Sequence, residues 1–148
     1  MRTKLLFSLL LLALPFTGYA KTDSQQTLNK QTVIEFYQLA INKKDAEAAV
    51  KYLGPTYTQH NPLAQDGIEG LKNYIAYLKK ERPQTHNEIK QVFTDGDYVI
   101  LHVKSTQYPD DIGLAIIDIF KLKDEKIIEH WDVIQPIPTA AANNNGMF

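Results

Sequence analysis

The C-terminal part of the sequence predicts two long β-strands that pair as a hairpin. Residues 113–123 and 126–135 are rich in Ile, Val, Phe and Trp, and only Asp124 and Glu125 separate them. A hairpin this apolar is expected to form the floor of a larger hydrophobic structure. It also carries Asp118, His130 and Asp132, and titratable groups among apolar neighbours are common at functional sites.

The preceding residues predict three helices and a second hairpin. Apolar periodicity indicates helices over 29–42, 45–53 and 67–82, and Pro83 ends the third. Residues 54–66 contain two prolines and show no periodicity, which predicts a loop. Strands over 86–94 and 97–106 flank Asp95-Gly96, a strong hairpin-turn signal. A polar linker is expected over 21–27 and a flexible tail over 137–148.

This order of elements predicts one α+β domain over residues 28–136. Three N-terminal helices would pack on one face of a curved antiparallel sheet, which the two hairpins make four-stranded. If the sheet curls around the longest helix, the result is a cone. Its open end would form a concave and mainly apolar pocket, the usual site for a small ligand.

The first 20 residues have the three parts of a secretory signal peptide. Arg2 and Lys4 precede an apolar run over 5–16, and Gly18-Tyr19-Ala20 provides a small-residue cleavage site. Cleavage is expected after Ala20, so the mature protein would be secreted or periplasmic. An uncleaved N-terminal anchor is the alternative. No membrane association is expected after cleavage, because the rest of the chain has no long apolar run.

Cleavage after Ala20 would leave 128 of the 148 residues, which suits a single domain. The chain contains no Cys, so neither disulfides nor thiol chemistry is available to it. Without Arg2 and Lys4 the formal net charge changes from −1 to −3. This mildly acidic balance gives no indication of nucleic-acid binding.

Asp118 is the leading candidate for a catalytic group. Alternation along its strand places only apolar residues on the same face, so its carboxyl should point into the apolar interior. There it could act as a general acid or base, or serve as a structural carboxylate. A two-residue turn would place Asp118 opposite Trp131. A change of one residue in the loop would bring His130 or Asp132 across from it instead, and the sequence leaves both registers open.

Other polar and aromatic residues could line the same pocket. His60 and Asn61 lie in the proline-bounded loop after the second helix, where they could hydrogen-bond a carbonyl or an enolate. A turn capped by His60 is the alternative. His102 could face the pocket or belong to the core. The further side chains expected to contact a ligand are Tyr57, Phe120, His130 and Trp131.

The sequence predicts neither a metal nor a cofactor. The ligand types that zinc or iron accepts are present, but only His130 and Asp132 lie close together in the sequence. There is no His-x-x-x-His pair, no nucleophile motif around a serine and no phosphate-binding glycine loop.

Two segments resemble the SnoaL-like polyketide cyclase branch of the nuclear transport factor 2-like superfamily. They are Tyr57-x-Gln59-His60-Asn61-Pro62 and the hairpin residues from Asp118-Ile119-Phe120 to His130-Trp131-Asp132. The resemblance implies that superfamily's conical fold and a cofactor-free intramolecular aldol condensation. By position it implies Asp118 as the catalytic carboxylate, assisted by His60 and His102. The superfamily also contains isomerases, dehydratases and non-enzymatic binding modules, so the fold alone does not decide the function.

We therefore predict cofactor-independent acid/base chemistry, of the aldol or isomerisation type, on a small hydrophobic or carbonyl-containing molecule. A non-catalytic periplasmic binding or scaffold module with the same pocket is the alternative. The expected export argues against a polyketide substrate, because polyketide assembly does not occur outside the cytoplasm. A homodimer is also expected, since a sheet face rich in Ile and Val often pairs with a second copy.

Overall fold

A computed structural model describes residues 18–148, and in this range the chain forms three helices and five strands. The helical segments are α1 (Gly18–Tyr37), which continues as a π-helical turn (Gln38–Asn42), α2 (Ala46–Ala49), which continues as a 3₁₀ turn (Val50–Tyr52), and α3 (Gly67–Glu81). The strands are β1 (Leu53–Gln59), β2 (His86–Asp95), β3 (Tyr98–Thr106), β4 (Leu114–Lys123) and β5 (Lys126–Pro136). Within the described residues, no helix is long and apolar enough to cross a membrane.

The strands form one sheet in the order β1-β5-β4-β3-β2. Strands β2 to β5 are an antiparallel meander, as the two predicted hairpins require. The inward face of the sheet packs against the helices and forms a continuous core. Its fully buried side chains include Val33, Ile75, Leu101, Phe120 and Ile127. The predicted α+β architecture, with three helices on a curved sheet, is confirmed.

Local sequence signals explain the bounds and the buried face of helix α3. Asp66 is the N-cap of α3. Lys79 and Lys80 lie in its last turn, where their positive charge interacts favourably with the helix dipole. Leu71, Ile75 and Leu78 follow at the spacing of one helical face, and all three are buried. This face of α3 closes the wall of the cone that stands opposite the sheet.

The sheet has a fifth strand that the sequence analysis missed. Residues 53–59 were predicted as the end of a helix and the start of a loop, but they form β1, which pairs in parallel with β5. The pairing has an irregularity between Leu53 and Thr58, and Pro55 lies within that interval. An edge strand tolerates proline because one side of its backbone needs no partner strand. The first part of the predicted two-proline loop is therefore a strand, and its partner β5 is far away in the sequence.

The N-terminal boundary also differs from the expectation. Among the described residues, helix α1 spans Gly18–Tyr37, so residues 21–27 are helical rather than an irregular linker. Residues 1–17 of the expected signal peptide lie outside the described part of the chain. The tail over 137–148 contains neither helix nor strand, and the ring of Phe148 lies 5.0 Å from that of His102 on the outer face of the sheet.

Candidate functional site

A β-bulge sets the register of the hairpin that carries the titratable residues. Asp124 and Glu125 form the predicted two-residue turn, both with positive φ. Leu122 then pairs with Ile127, whereas Lys121 pairs with Glu129, which leaves one extra residue on β5. The register that places Asp118 opposite Trp131 is therefore wrong. The alternative register is the one observed.

The bulge brings two further titratable groups to the face of Asp118. Asp118 pairs with Asp132, and His130 pairs with Phe120, so all four side chains point inward. Trp131 pairs with Ile119 and points to the opposite face. One inserted residue thus decides which groups share the interior with Asp118.

The inward face of the sheet and the helices enclose a cavity of about 220 Å³. This volume is below the usual range for small-molecule sites, which is about 300–1,000 Å³, so the cavity suits only a small compound. Most of its wall is apolar or aromatic, and its polar groups come from α1, α3, the loop before α3 and every strand except β3. The lining residues that bear on chemistry are Tyr37, Tyr57, Gln59, Asn61, Tyr74, Asn87, Asp118, His130 and Asp132.

Asp118 is the centre of a buried hydrogen-bond network and is only 4% exposed. The hydroxyl of Tyr37 donates to its Oδ2 at 2.9 Å, and Nε2 of His130 lies 3.0 Å from its Oδ1. The side-chain amide of Asn87 donates to the Tyr37 hydroxyl oxygen at 2.8 Å. Each carboxylate oxygen of Asp118 therefore has a partner on the cavity wall.

Gln59 fixes the protonation of the His130 ring. Its Oε1 lies 2.9 Å from Nδ1 of His130, and its Nε2 donates to the Tyr57 hydroxyl at 2.8 Å. Because a carboxamide oxygen only accepts, Nδ1 must carry a hydrogen. The contact between Nε2 and Asp118 then requires one further proton, held either by the ring or by the carboxyl. His130 and Asp118 thus form a buried pair that shares a single transferable proton.

Asp132 is held at the edge of the cavity by Asn61. The side-chain amide nitrogen of Asn61 lies 2.9 Å and 2.7 Å from the two carboxylate oxygens. The Asn61 Oδ1 accepts from the backbone N–H of Leu63, which fixes the amide orientation. This contact ties the loop before α3 to β5 and forms one lip of the cavity.

The tyrosines of the cavity remain neutral donors at physiological pH. Burial, followed by the nearby charge of Asp118, raises the pKa of Tyr37 well above its usual value, although the hydrogen bond from Asn87 opposes the shift. Burial and the charges of Asp118 and Asp132 also raise the pKa of Tyr57 and of Tyr74. These hydroxyls are therefore suited to donating hydrogen bonds rather than to accepting protons.

Asp118, His130 and Asp132 also have the composition of a metal-binding group. One ligand atom from each lies within 4.8 Å of the others. However, every carboxylate oxygen and ring nitrogen of the three already has a protein hydrogen-bond partner. An ion would have to displace several of these contacts, so the donor set fits proton chemistry better than metal binding.

Five of the eight predicted site residues line the cavity: Tyr57, Asn61, Phe120, Asp118 and His130. The other three lie on the outer face of the sheet, and their prediction as pocket residues is wrong. His60 stacks on Trp131 with ring centroids 4.3 Å apart, and its Nε2 lies 3.3 Å from Glu129. His102 points outward because its neighbours Leu101 and Val103 fill the inner face of β3.

The sequence analysis did not select four polar residues that complete the site. Tyr37 lies within the helix predicted over 29–42, and Asp132 was noted as a titratable residue of the hairpin but was not among the predicted site residues. Gln59 was part of a recognisable segment, but its partner His130 is far away in the sequence. Asn87 at the start of β2 carries no local signal. Only the folded geometry brings the four together.

The chain matches the family model of the SnoaL-like domain over residues 33–130. A comparison with curated protein sequences found no match. A solved structure of a candidate polyketide cyclase from Bacillus cereus is 26% identical with a TM-score of 0.63, covering 73% of this chain and 74% of that one.

Two other solved structures show the same fold. A candidate SnoaL-like polyketide cyclase from Jannaschia is 19% identical with a TM-score of 0.61, covering 74% of this chain and 86% of that one. An LEH-like epoxide hydrolase from M. tuberculosis is 15% identical with a TM-score of 0.60, covering 75% of this chain and 85% of that one. At these identities the likeness concerns the fold alone.

Proposed function

We propose that this chain, which belongs to the SnoaL-like domain family, binds a small carbonyl compound in its cavity and moves a proton on it without a cofactor. The observation that carries the proposal is the buried contact between Oδ1 of Asp118 and Nε2 of His130, 3.0 Å apart at the wall of the cavity. The fold supports a catalytic or ligand-binding role, and relatives of this fold include candidate polyketide cyclases and an epoxide hydrolase.

The geometry suits removal of a proton from the carbon next to a carbonyl group. Asp118, when ionised, takes the proton from the carbon, and the electron pair moves onto the carbonyl oxygen to give an enolate. The Tyr57 hydroxyl accepts from Gln59, and none of the described residues accepts its hydrogen. That hydrogen can therefore donate to the enolate oxygen, a role that was predicted from the sequence for His60, Asn61 and His102.

After the first transfer, the proton on Asp118 can be returned to the same carbon or to another one. Return to another carbon of a conjugated enolate gives isomerisation. Attack of the enolate carbon on a second carbonyl instead forms a carbon–carbon bond and an alkoxide, which takes the proton from Asp118 to give the aldol product. Nε2 of His130 lies 3.0 Å from Oδ1 of Asp118 and can exchange a proton with that carboxyl. Tyr37 holds the carboxyl in one orientation through its hydrogen bond to Oδ2.

Exchange of the α-hydrogens of cyclohexanone in D₂O, followed by proton NMR, tests this proposal. Asp118→Asn keeps the shape of the side chain but removes the base, and we expect the protein-dependent exchange rate to fall by about 10²-fold or more. His102→Gln is the matched control, since His102 lies on the outer face, and it should keep the wild-type rate. Equal rates in wild type and Asp118→Asn would overturn the proposal.

The second candidate is a binding module that uses the same cavity without turnover. It is favoured by one specific observation, the complete internal pairing of the Asp118 carboxylate oxygens, which a structural carboxylate would also show. Binding of cyclohexanone in the cavity with no exchange above the buffer rate would support this candidate.

We also propose that the protein is exported and cleaved after Ala20. The supporting feature is the charged, apolar and small-residue pattern of residues 1–20. Mass spectrometry of the protein recovered from a secreting host should find Lys21 at the N-terminus. An intact N-terminus on protein from the membrane fraction would instead indicate an uncleaved anchor.

The outer face of the sheet supports the homodimer that the sequence analysis expected. Phe93, Ile117 and Val133 are exposed there, with Val133 68% exposed, and no helix of the described chain covers them. Light scattering should give twice the monomer mass, and Val133→Glu should reduce it to the monomer by placing a charge in the contact. A wild-type monomer would contradict this proposal.

A further inference from the structure

Asn87 lines the cavity and carries a buried acceptor without a partner. The residue is only 5% exposed and lines the cavity. Among the buried side-chain nitrogen and oxygen atoms of the described residues, only its Oδ1 has no hydrogen-bond partner. Buried polar atoms without a partner are rare in proteins, and each requires an explanation.

The orientation of this amide is fixed by its neighbours. The single hydroxyl hydrogen of Tyr37 is committed to Asp118, so the Tyr37 oxygen can only accept from Asn87. Nδ2 must therefore face Tyr37, and Oδ1 is the atom left over. The backbone of Asn87 is held as well, because Asn42 bonds both its N–H and its C=O, at 2.8 Å and 2.9 Å.

The charge of the cavity restricts what could donate to Asn87. Its lining includes Asp118 and Asp132 but neither Lys nor Arg among the described residues. A carboxylate or phosphate would be repelled by the two aspartates and would find no cation there. A neutral hydroxyl group provides the missing donor without adding a negative charge.

We infer that Asn87 is a specificity-determining residue, and that the compound bound in this cavity is a neutral hydroxyketone whose hydroxyl donates to Asn87 Oδ1. The hydrogen bonds from Asn87 through Tyr37 to Asp118 are 2.8 Å and 2.9 Å long, so the hydroxyl site and the acid/base group belong to one small cavity. This inference rests on the proposed function for the carbonyl end of the compound. It adds the group at the other end and the exclusion of anions.

Three cyclohexanones that differ only at carbon 4 provide the test. They carry a hydroxyl, a methyl or a carboxylate group, and their dissociation constants are measured by NMR titration of the Asn87 side-chain amide. The hydroxyl compound should bind roughly tenfold more tightly than the methyl compound, since one hydrogen bond to a buried acceptor is gained. The carboxylate compound should bind at least roughly tenfold more weakly than the hydroxyl compound.

Two variants decide whether Asn87 is responsible. Asn87→Leu keeps the size but removes the acceptor, and the preference for the hydroxyl compound should disappear. Asn73→Leu makes the same change at an exposed residue of α3 outside the cavity and should leave the preference unchanged. If Asn87→Leu does not fold, the wild-type ratios and the response of the Asn87 amide decide. Equal or tighter binding of the methyl compound, or no binding of the hydroxyl compound, would overturn the inference.

The two proposals fail independently in these experiments. A hydroxyl preference without any exchange of α-hydrogens would leave the inference intact and reduce the protein to a binding module. Exchange that depends on Asp118, without a hydroxyl preference, would support the proposed function and overturn the assignment of Asn87.

Discussion

Substitution of Tyr37 by Phe should destabilise the fold by about 2–3 kcal/mol. The Tyr37 hydroxyl donates to the Asp118 carboxyl and accepts from the Asn87 amide, and the variant leaves both buried groups without that partner. A hydrogen bond to a charged group contributes about 1.5–3 kcal/mol and a neutral one about 0.5–1.5 kcal/mol. Together the two hydrogen bonds would contribute about 2–4.5 kcal/mol. A loss in the lower half of that range is expected, because Asp118 lines the cavity and water there can replace part of the lost contact.

Tyr57→Phe is the matched control for this measurement. It makes the same chemical change in the same cavity, but the Tyr57 hydroxyl has a single contact, from Gln59 at 2.8 Å. The expected loss is about 1 kcal/mol. Both free energies of unfolding are measured by urea denaturation followed by circular dichroism. A loss in Tyr37→Phe that does not exceed the loss in Tyr57→Phe would refute the view that Tyr37 organises the buried network.

Three further results are expected. The pKa of Tyr37 is raised in the folded protein, so above about pH 10 the folded state keeps a proton that the unfolded state loses. The free energy of unfolding should therefore fall as the pH rises above about 10. Urea denaturation at several pH values should show a less steep fall in Tyr37→Phe than in the wild type. Gly113→Ala should lower the free energy of unfolding by at least about 2 kcal/mol, because φ is +87° and the new Cβ meets the backbone carbonyl of Ser105. Gly96→Ala is the control, since φ is +55° there and the new Cβ meets nothing within 4 Å. It should lower the same free energy by about 1 kcal/mol. Nitrogen NMR should find a hydrogen on Nδ1 of His130, held by Gln59, and this preference should be lost in Gln59→Leu.

The local features of the fold could be predicted from the sequence. Apolar periodicity and the turn at Asp95-Gly96 gave the three helices and the antiparallel meander. These signals act within a few residues, so they can be read without knowing the partner of each segment. The inward position of Asp118 followed from alternation along a single strand.

The register of the site could not be predicted, because a bulge acts through packing. Ile128 is the extra residue on β5, and nothing in its immediate sequence distinguishes it from its apolar neighbours. Its insertion turns His130 toward Asp118 and Trp131 away. His60 was consequently misplaced as well, because its position depends on stacking against Trp131.

Long-range contacts account for the remaining differences. Strand β1 forms by parallel pairing with β5, its only partner strand in the sheet. That pairing places Gln59 beside His130. His102 was assigned to the pocket from strand order, but the inner face of β3 is filled by Val99, Leu101 and Val103. Single-strand alternation left the choice of face open, and packing against the helices decided it.

The proposed function requires that a small carbonyl compound is bound next to His130 and Asp118, on the inner face of the sheet. Its most direct test is a titration with 4-hydroxycyclohexanone in which the ring nitrogens of all four histidines are followed by NMR. The structure predicts that the two nitrogens of His130 shift, whereas those of His60 and His102, on the outer face, stay unchanged. Shifts at His60 or His102 with none at His130 would contradict the account.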